Sequence, residues 1–146
     1  MTNLIWPLIG LFLLAFSAAT LLPGGSEAGL LAMASQSPYS NLTLLTVAST
    51  GNILGSVLNY WLGRIALRYQ GRKWFPVSAA QLEKAHIWFS RWGQWSVLLA
   101  WVPVVGDPIT VAAGVLRMRW GLFLLLVAIS KTTRYMVILG VFNLLQ

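Results

Sequence analysis

Cysteine is absent from this chain, and His86 is its one histidine. Disulfides, thiolate metal sites, thiol nucleophiles and histidine clusters are therefore excluded, and we expect neither a metal nor another cofactor. Charge is also scarce, because 9% of the residues are charged whereas a soluble domain has roughly a quarter. With 58% hydrophobic residues and a mean hydropathy of +0.73, the composition indicates an integral membrane protein.

The 146 residues allow one compact membrane domain over residues 1–146 and no sizeable soluble domain. No Lys or Arg precedes the first apolar run, so we expect the N-terminus to be retained rather than cleaved as a signal peptide. Six of the ten basic residues lie between Arg64 and Arg91. This clustering between apolar segments predicts a cytoplasmic basic loop over residues 64–92 that faces anionic lipid, and nucleic acid is not an expected partner.

Four apolar stretches run along the chain: Leu4–Leu22, Leu42–Gly63, Trp92–Gly106 continued by Pro108–Leu116, and Trp120–Gln146. The second and fourth reach the length of about 20 residues that a spanning helix needs. The first and third each break at a Pro/Gly cluster that is followed by an acid, which indicates re-entrant hairpins. The breaks lie at Pro23, Gly24 and Gly25 and at Pro103, Gly106 and Pro108.

The distribution of Lys and Arg favours two hairpins over four plain spans, because only the hairpins place all basic segments on the cytoplasmic side. Residues 23–27 and 103–107 share the pattern Pro-x-x-x-acid, and in this topology the two hairpins enter from opposite sides. They would then form an inverted repeat, although five matched positions leave chance similarity open. The predicted fold class is an all-α membrane protein with two facing re-entrant helical hairpins and two transmembrane helices.

The basic loop carries its own helix signature. Ser78 and Gln81 fit a capping box, apolar residues follow at spacings of three and four, and Gly93 supplies a stop. We predict an amphipathic helix over residues 79–92 on the cytoplasmic surface, with a linker helix packed on protein as the alternative. His86 on this helix is interpreted as an interfacial residue rather than a ligand or a proton carrier.

Four ionisable residues fall within the apolar segments: Glu27, Asp107, Lys131 and Arg134. A lone charge at the bilayer centre costs at least about 2.5 to 3.5 kcal/mol, so such groups normally pair or face a cavity. A rise of about 1.5 Å per residue from Trp120 puts the two bases past mid-depth, where they can meet the hairpin tips. The cluster is the candidate substrate and proton site; the alternative is that the ion pairs only hold the hairpins to the last helix.

A stripe of small and polar residues marks the helix predicted over Leu42–Gly63. Its members recur mostly at four-residue spacing: Gly51, Asn52, Gly55, Asn59 and Gly63. Small residues let another backbone approach closely, so we interpret the stripe as a helix-packing face. Direct contact of Asn52 or Asn59 with a substrate is the alternative.

Several motifs resemble the DedA superfamily, also called the VTT-domain or SNARE-associated family, and its short YqaA-like branch in particular. They are SAATLLPGGSE at residues 17–27, YWLGR at 60–64, WVPVVGD at 101–107, Ala113-Gly114, and KTTRY at 131–135. The resemblance covers nearly the whole chain. The motifs are moderately specific singly and strong in this order.

The resemblance implies a multi-pass protein of the bacterial inner membrane with two re-entrant hairpins. Better-studied members are linked to moving polyprenyl-phosphate carriers or phospholipids, with proton coupling, which would suit Glu27 and Asp107 as protonatable groups. Arg134, with Lys131, would then be the phosphate partner. Longer members usually carry arginines two positions before and three after the second hairpin's proline, where this chain has Trp101 and Gly106.

Three functions follow from these observations. We expect a non-enzymatic, proton-coupled translocase of an anionic lipid, whose partners are membrane lipids. The alternative is a non-transporting membrane-organising or assembly subunit, including a homo-oligomer, in which the buried charges are structural. An intramembrane lipid phosphatase is disfavoured, because Glu27 stands where a phosphate-binding arginine would be needed and no neighbouring base could activate Ser26.

Overall fold

The chain folds into helices, as seen in a computed structural model that describes residues 2–20, 25–36, 38–69, 72–73, 78–102 and 106–146. The α-helices in this part of the chain are α1 (Ile5–Thr20), α2 (Gly25–Ser35), α3 (Asn41–Tyr69), α4 (Ala79–Trp92), α5 (Gly106–Val115) and α6 (Trp120–Leu144). Two 3-10 helices, Thr2–Leu4 and Gly93–Trp101, complete the elements. No strand occurs among the described residues, which confirms the all-α class.

Two helices are long and apolar enough to cross a membrane: α3 over Asn41–Ala66, and α6 over Trp120–Leu144. They correspond to the second and fourth apolar stretches. The boundary predicted at Gly63 is wrong, because α3 continues to Tyr69 and includes Arg64 and Arg68, which are exposed. A charge does not end a helix when its long side chain can reach water, so the basic segment begins inside α3.

The chain divides into two compact units, and the first comprises Met1–Gly55 and Lys131–Gln146. It contains α1, α2, the first half of α3 and the second half of α6. Its core is built from buried residues of all four helices: Leu11, Ala15, Leu30, Leu44, Ala48, Tyr135 and Leu139. Ser40 begins α3 as a capping residue, since its Oγ accepts the backbone N–H of Thr43 at 3.1 Å.

Helices α1 and α2 pack side by side and antiparallel within the first unit. A Cβ built on Gly25 would approach Leu14, and one on Gly29 would approach Leu14 and Leu11. Later residues of α2 thus approach earlier residues of α1, as expected for antiparallel helices. Helix α3 packs on α1 through glycines. A Cβ on Gly51 would lie 2.5 Å from the carbonyl oxygen of Phe12, which leaves no room for any side chain.

The second unit, Ser56–Ser130, contains the rest of α3 and α6 with α4, the long 3-10 helix and α5. Here α3 and α5 cross closely, because a Cβ on Gly63 would collide with the carbonyl of Val111 and one on Gly114 with that of Tyr60. Tyr60 donates its hydroxyl to the Met118 carbonyl at 2.6 Å. Its ring packs on Phe123 at a centroid distance of 4.5 Å.

The helix predicted over residues 79–92 is confirmed as α4, Ala79–Trp92. Gly93 follows with a φ of 64°, a left-handed conformation that glycine adopts without strain and that stops the helix. Phe89 is buried, whereas His86, Ile87 and Trp92 are exposed. The apolar arm that follows is not α-helical, since Gly93–Trp101 is a nine-residue 3-10 helix, an unusual length for that geometry.

The predicted hairpin breaks lie partly outside the described residues, which exclude Pro23, Gly24 and Pro103. The others sit at helix starts: Gly25 begins α2 and Gly106 begins α5. A Cβ on Gly106 would collide with the carbonyl of Ala100, so glycine is required there by close backbone approach. Pro108 occupies the first turn of α5, where its missing N–H costs no helical hydrogen bond.

Replacing Gly55 by alanine is expected to destabilise the first unit. The new Cβ would lie 2.6 Å from both the Ala19 Cβ and the Phe16 carbonyl oxygen, and such overpacking costs about 1 to 3 kcal/mol. Gly140→Ala in α6 is the matched control, since a Cβ there meets nothing within 4 Å and alanine favours a helix by about 1 kcal/mol. Thermal unfolding in detergent should show a lower midpoint for Gly55→Ala alone; equal midpoints would contradict the close α1–α3 packing.

Candidate functional site

The charged side chains of the first unit are few and come from two helices, α2 and α6. Among the residues 1–55 and 131–146, the Asp, Glu, Lys and Arg residues are Glu27, Lys131 and Arg134, one acid and two bases. Glu27 lies in the first turn of α2, and the two bases lie one turn apart on α6. Every charged side chain of this apolar unit therefore lies either in the first turn of α2 or in the half of α6 that belongs to the unit.

Glu27 and Arg134 form an ion pair between Oε1 of the carboxylate and Nη2 of the guanidinium. The Arg134 side chain is 10% exposed and that of Glu27 is 31% exposed, so the base is the more deeply placed partner. The position of Glu27 is also favourable for its charge, because the first turn of a helix carries a partial positive charge. The pair thus joins the start of α2 to α6.

Lys131 is the most deeply buried charged residue described, with 1% of its surface exposed. It lies three residues before Arg134, a spacing that puts both side chains on one side of α6. An ammonium buried this deeply is tolerated only when it is paired or solvated. Lys131 and Arg134 thus place two bases one turn apart on α6, and Arg134 is paired with Glu27.

A second polar contact lies directly beside the ion pair. Ser26 and Tyr135 are both buried, and the Ser26 Oγ lies 2.8 Å from the Tyr135 hydroxyl. Adjacent residues of α2, Ser26 and Glu27, are thus matched with adjacent residues of α6, Arg134 and Tyr135. The sequence analysis does not predict that Ser26 and Tyr135 contact each other. The signal that could have indicated it is that each residue directly neighbours a predicted charged residue, Glu27 or Arg134.

Asp107 lies in the first turn of α5, in the second unit, and is partly buried. Its backbone carbonyl accepts the hydroxyl of Thr110 at 2.7 Å. Asp107 and Glu27 thus both lie in the first turn of a helix. That Asp107 joins Glu27, Lys131 and Arg134 in one substrate and proton site stays a prediction.

The two asparagines of the α3 stripe use their amide groups for packing contacts. Asn52 donates from Nδ2 to the Ala15 carbonyl oxygen at 2.9 Å in the first unit. Asn59 donates from Nδ2 to the Thr110 Oγ1 at 3.2 Å in the second. Both side chains are buried next to glycines that approach a neighbouring backbone.

Comparisons with known proteins identify relatives along most of the chain. The model of the VTT domain matches residues 22–144. The Inner membrane protein YqaA of Escherichia coli is 37% identical over 131 residues, which cover 90% of this chain and 87% of that protein. The Undecaprenyl phosphate transporter A of Staphylococcus aureus is 31% identical over 108 residues, 68% of this chain and 53% of that protein. No solved structure gives a significant match.

The Ser26–Tyr135 hydrogen bond should couple the two residues energetically. Removing either hydroxyl alone, in Ser26→Ala or Tyr135→Phe, leaves the other buried without its partner, whereas removing both avoids that penalty. We expect a coupling free energy of about 0.5 to 2 kcal/mol in a double-mutant cycle followed by thermal unfolding. Additive effects of the two substitutions would show that the hydroxyls do not interact in the folded protein.

Proposed function

Because the chain belongs to the VTT-domain family, also known as the DedA family, we propose that it moves an anionic lipid across the bacterial inner membrane. Relatives named as an inner membrane protein and as a transporter of undecaprenyl phosphate support this proposal. The lipid would be a polyprenyl phosphate or a phospholipid. The protein would act as a transporter and not as an enzyme.

The observation that carries the proposal is the group of three ionisable side chains, Glu27, Lys131 and Arg134, in an otherwise uncharged apolar unit. Arg134 is paired with Glu27, and the buried Lys131 lies one turn away on the same helix. A guanidinium has five N–H donors in a planar fork and binds phosphate oxygens as readily as a carboxylate. A phosphate head group can therefore replace the Glu27 carboxylate on Arg134, and no charge is left unpaired if Glu27 takes up a proton at the same time.

Protonation of Glu27 supplies a way to drive that exchange. A neutral carboxylic acid holds a guanidinium far less strongly than a carboxylate does, so a proton on Glu27 would release Arg134 to the lipid phosphate. When the lipid leaves and the proton departs, the ion pair forms again and holds α2 against α6. Asp107, in the first turn of α5, is proposed as the second protonatable group of the same cycle.

We further propose that the membrane topology contains two re-entrant hairpins related as an inverted repeat. Helices α1, with 16 residues, and α2, with 11, are each shorter than the 20 or so residues of a spanning helix. Their antiparallel packing supports a turn within the membrane. Both acids lie in the first turn of the helix after a Pro/Gly cluster, and in this topology the helix starts and their positive dipole ends would lie near an anionic substrate.

Substitution of Glu27 by glutamine should abolish transport while the protein still inserts. The amide keeps the shape of the side chain but can neither carry the negative charge that holds Arg134 nor take up a proton. We expect transport of a fluorescently labelled short-chain polyprenyl phosphate in proteoliposomes, followed by quenching from one side, to fall at least about tenfold. Glu83→Gln on the exposed face of α4 is the matched control and should retain the rate.

The double variant Glu27→Gln/Arg134→Gln separates transport from assembly. If the ion pair only holds the two helices together, removing both charges should restore the stability and the transport that Glu27→Gln loses. If it binds the lipid phosphate, the double variant should regain thermal stability relative to Glu27→Gln and still fail to transport. Wild-type transport by this double variant would overturn the proposed mechanism.

Thiol labelling can test the proposed topology, since the chain has no native cysteine. Single cysteines would be placed at Gln36, which follows α2, and at Leu116, which follows α5; both positions are exposed. In intact cells, an impermeant reagent should label Gln36→Cys, and Leu116→Cys should react only after the membrane is opened. Labelling of both positions from outside would exclude the inverted repeat.

A further inference from the structure

The second unit contains a cavity that the proposed transport cycle does not use. It has a volume of about 300 Å³ and opens to the surface. Helix α4 supplies His86, Phe89 and Ser90 to its wall, and Gly93 and Gln94 follow directly. The segment after α5 closes the cavity with Leu116 and Met118. Its lining is mixed, with an apolar floor at Phe89 and Met118 and exposed polar groups at His86, Ser90 and Gln94.

Arg117, between the two lining residues of the α5 end, has a backbone conformation that arginine rarely adopts. Its φ is 54°, and it is the non-glycine residue with positive φ in the described part of the chain. The N–H of Met118 bonds to the Ala113 carbonyl at 3.0 Å and that of Arg117 to the Gly114 carbonyl at 3.0 Å. This is a Schellman end to α5, with Arg117 at the position that glycine normally occupies.

Glycine would fit this position without steric strain, so packing does not explain the arginine. Strained residues of this kind are found where a side chain is needed at a fixed place. Arg117 is exposed, and the residues on both sides of it line the cavity. The left-handed turn therefore sets a permanently charged residue between two residues that line a cavity with polar groups.

The surroundings select a lipid as the source of the anion. Trp92 and Trp95, which flank the lining residues Gly93 and Gln94, are 59% and 67% exposed. Exposed tryptophans of a membrane protein sit at the level of the lipid head groups, where basic residues also attract anionic lipid. Eight of the ten basic residues and two of the three acids belong to this unit.

We propose that this cavity is a head-group site for a resident anionic phospholipid, with Arg117 as the residue that binds the phosphate. The apolar floor takes the first part of an acyl chain, and the polar lining of α4 contacts the glycerol or head-group oxygens. The site is separate from the Glu27 and Arg134 pair, and it does not depend on the proposed transport. The lipid is bound and not carried.

Binding of dihexanoyl phosphatidylglycerol to the full-length protein in uncharged detergent, counted by native mass spectrometry, tests this site. Arg117→Gln should weaken binding at least about tenfold, because a charge-assisted contact to phosphate is lost. Arg119→Gln removes the same charge two residues away, beyond the lining residue Met118, and should stay within about twofold of the wild type. Equal losses in the two variants would overturn the assignment.

Arg117→Gly keeps the experiment independent of folding. Glycine relieves the left-handed strain, so the variant should unfold at the same or a higher temperature and yet bind the lipid as weakly as Arg117→Gln. Wild-type binding by Arg117→Gly would overturn the proposal. Dihexanoyl phosphatidylcholine should bind more weakly than phosphatidylglycerol to the wild type, and equal binding of the two lipids would also overturn it.

Inorganic phosphate distinguishes the two sources of the anion. If phosphate alone fails to compete with the lipid at equal concentration, the acyl chain contributes and the site takes a phospholipid. If phosphate at equal concentration displaces the lipid from the wild type but not from Arg117→Gln, Arg117 binds phosphate. That result would overturn the phospholipid as the source of the anion.

Discussion

The ion pair between Glu27 and Arg134 is the interaction on which the first unit depends, because an apolar helical unit cannot hold either charge alone. Breaking such a pair leaves a partly buried charge without compensation, which costs about 3 to 5 kcal/mol when burial is complete. The contact fixes the start of α2, a helix of 11 residues, against the middle of α6. The Ser26 and Tyr135 hydroxyls meet beside it, so the register of the two helices is set by two matched contacts.

Close backbone approach is the second constraint, and each unit meets it in the same way. Gly51 and Gly55 let α3 lie against α1, and Gly63 and Gly114 let α3 cross α5. Without side chains between them, the helices gain dispersion contacts, and a neighbouring asparagine adds a hydrogen bond. Packing that needs no large apolar residues suits a protein whose apolar side chains face lipid, since lipid supplies no hydrophobic drive for helices to associate.

The sequence predicts most of the helices but not their full geometry. Hydropathy and length locate α3 and α6, and the capping pattern at Ser78 with Gly93 locates α4 to the residue. The sequence prediction ends α3 at Gly63, too early, because the Arg64 side chain can extend to water from a helix that continues. The 3-10 geometry of Gly93–Trp101 and the left-handed Arg117 depend on tertiary packing, which no local pattern encodes.

The candidate site shows the same division. Scarcity of charge singles out Glu27, Lys131 and Arg134, because a membrane segment retains few ionisable groups. The particular pairing of Glu27 with Arg134, and the burial of Lys131 to 1%, require the helices to be placed in space. Apolar surroundings make the Glu27–Arg134 pair costly to break, so the pair holds α2 against α6 unless another charged group takes the place of one partner.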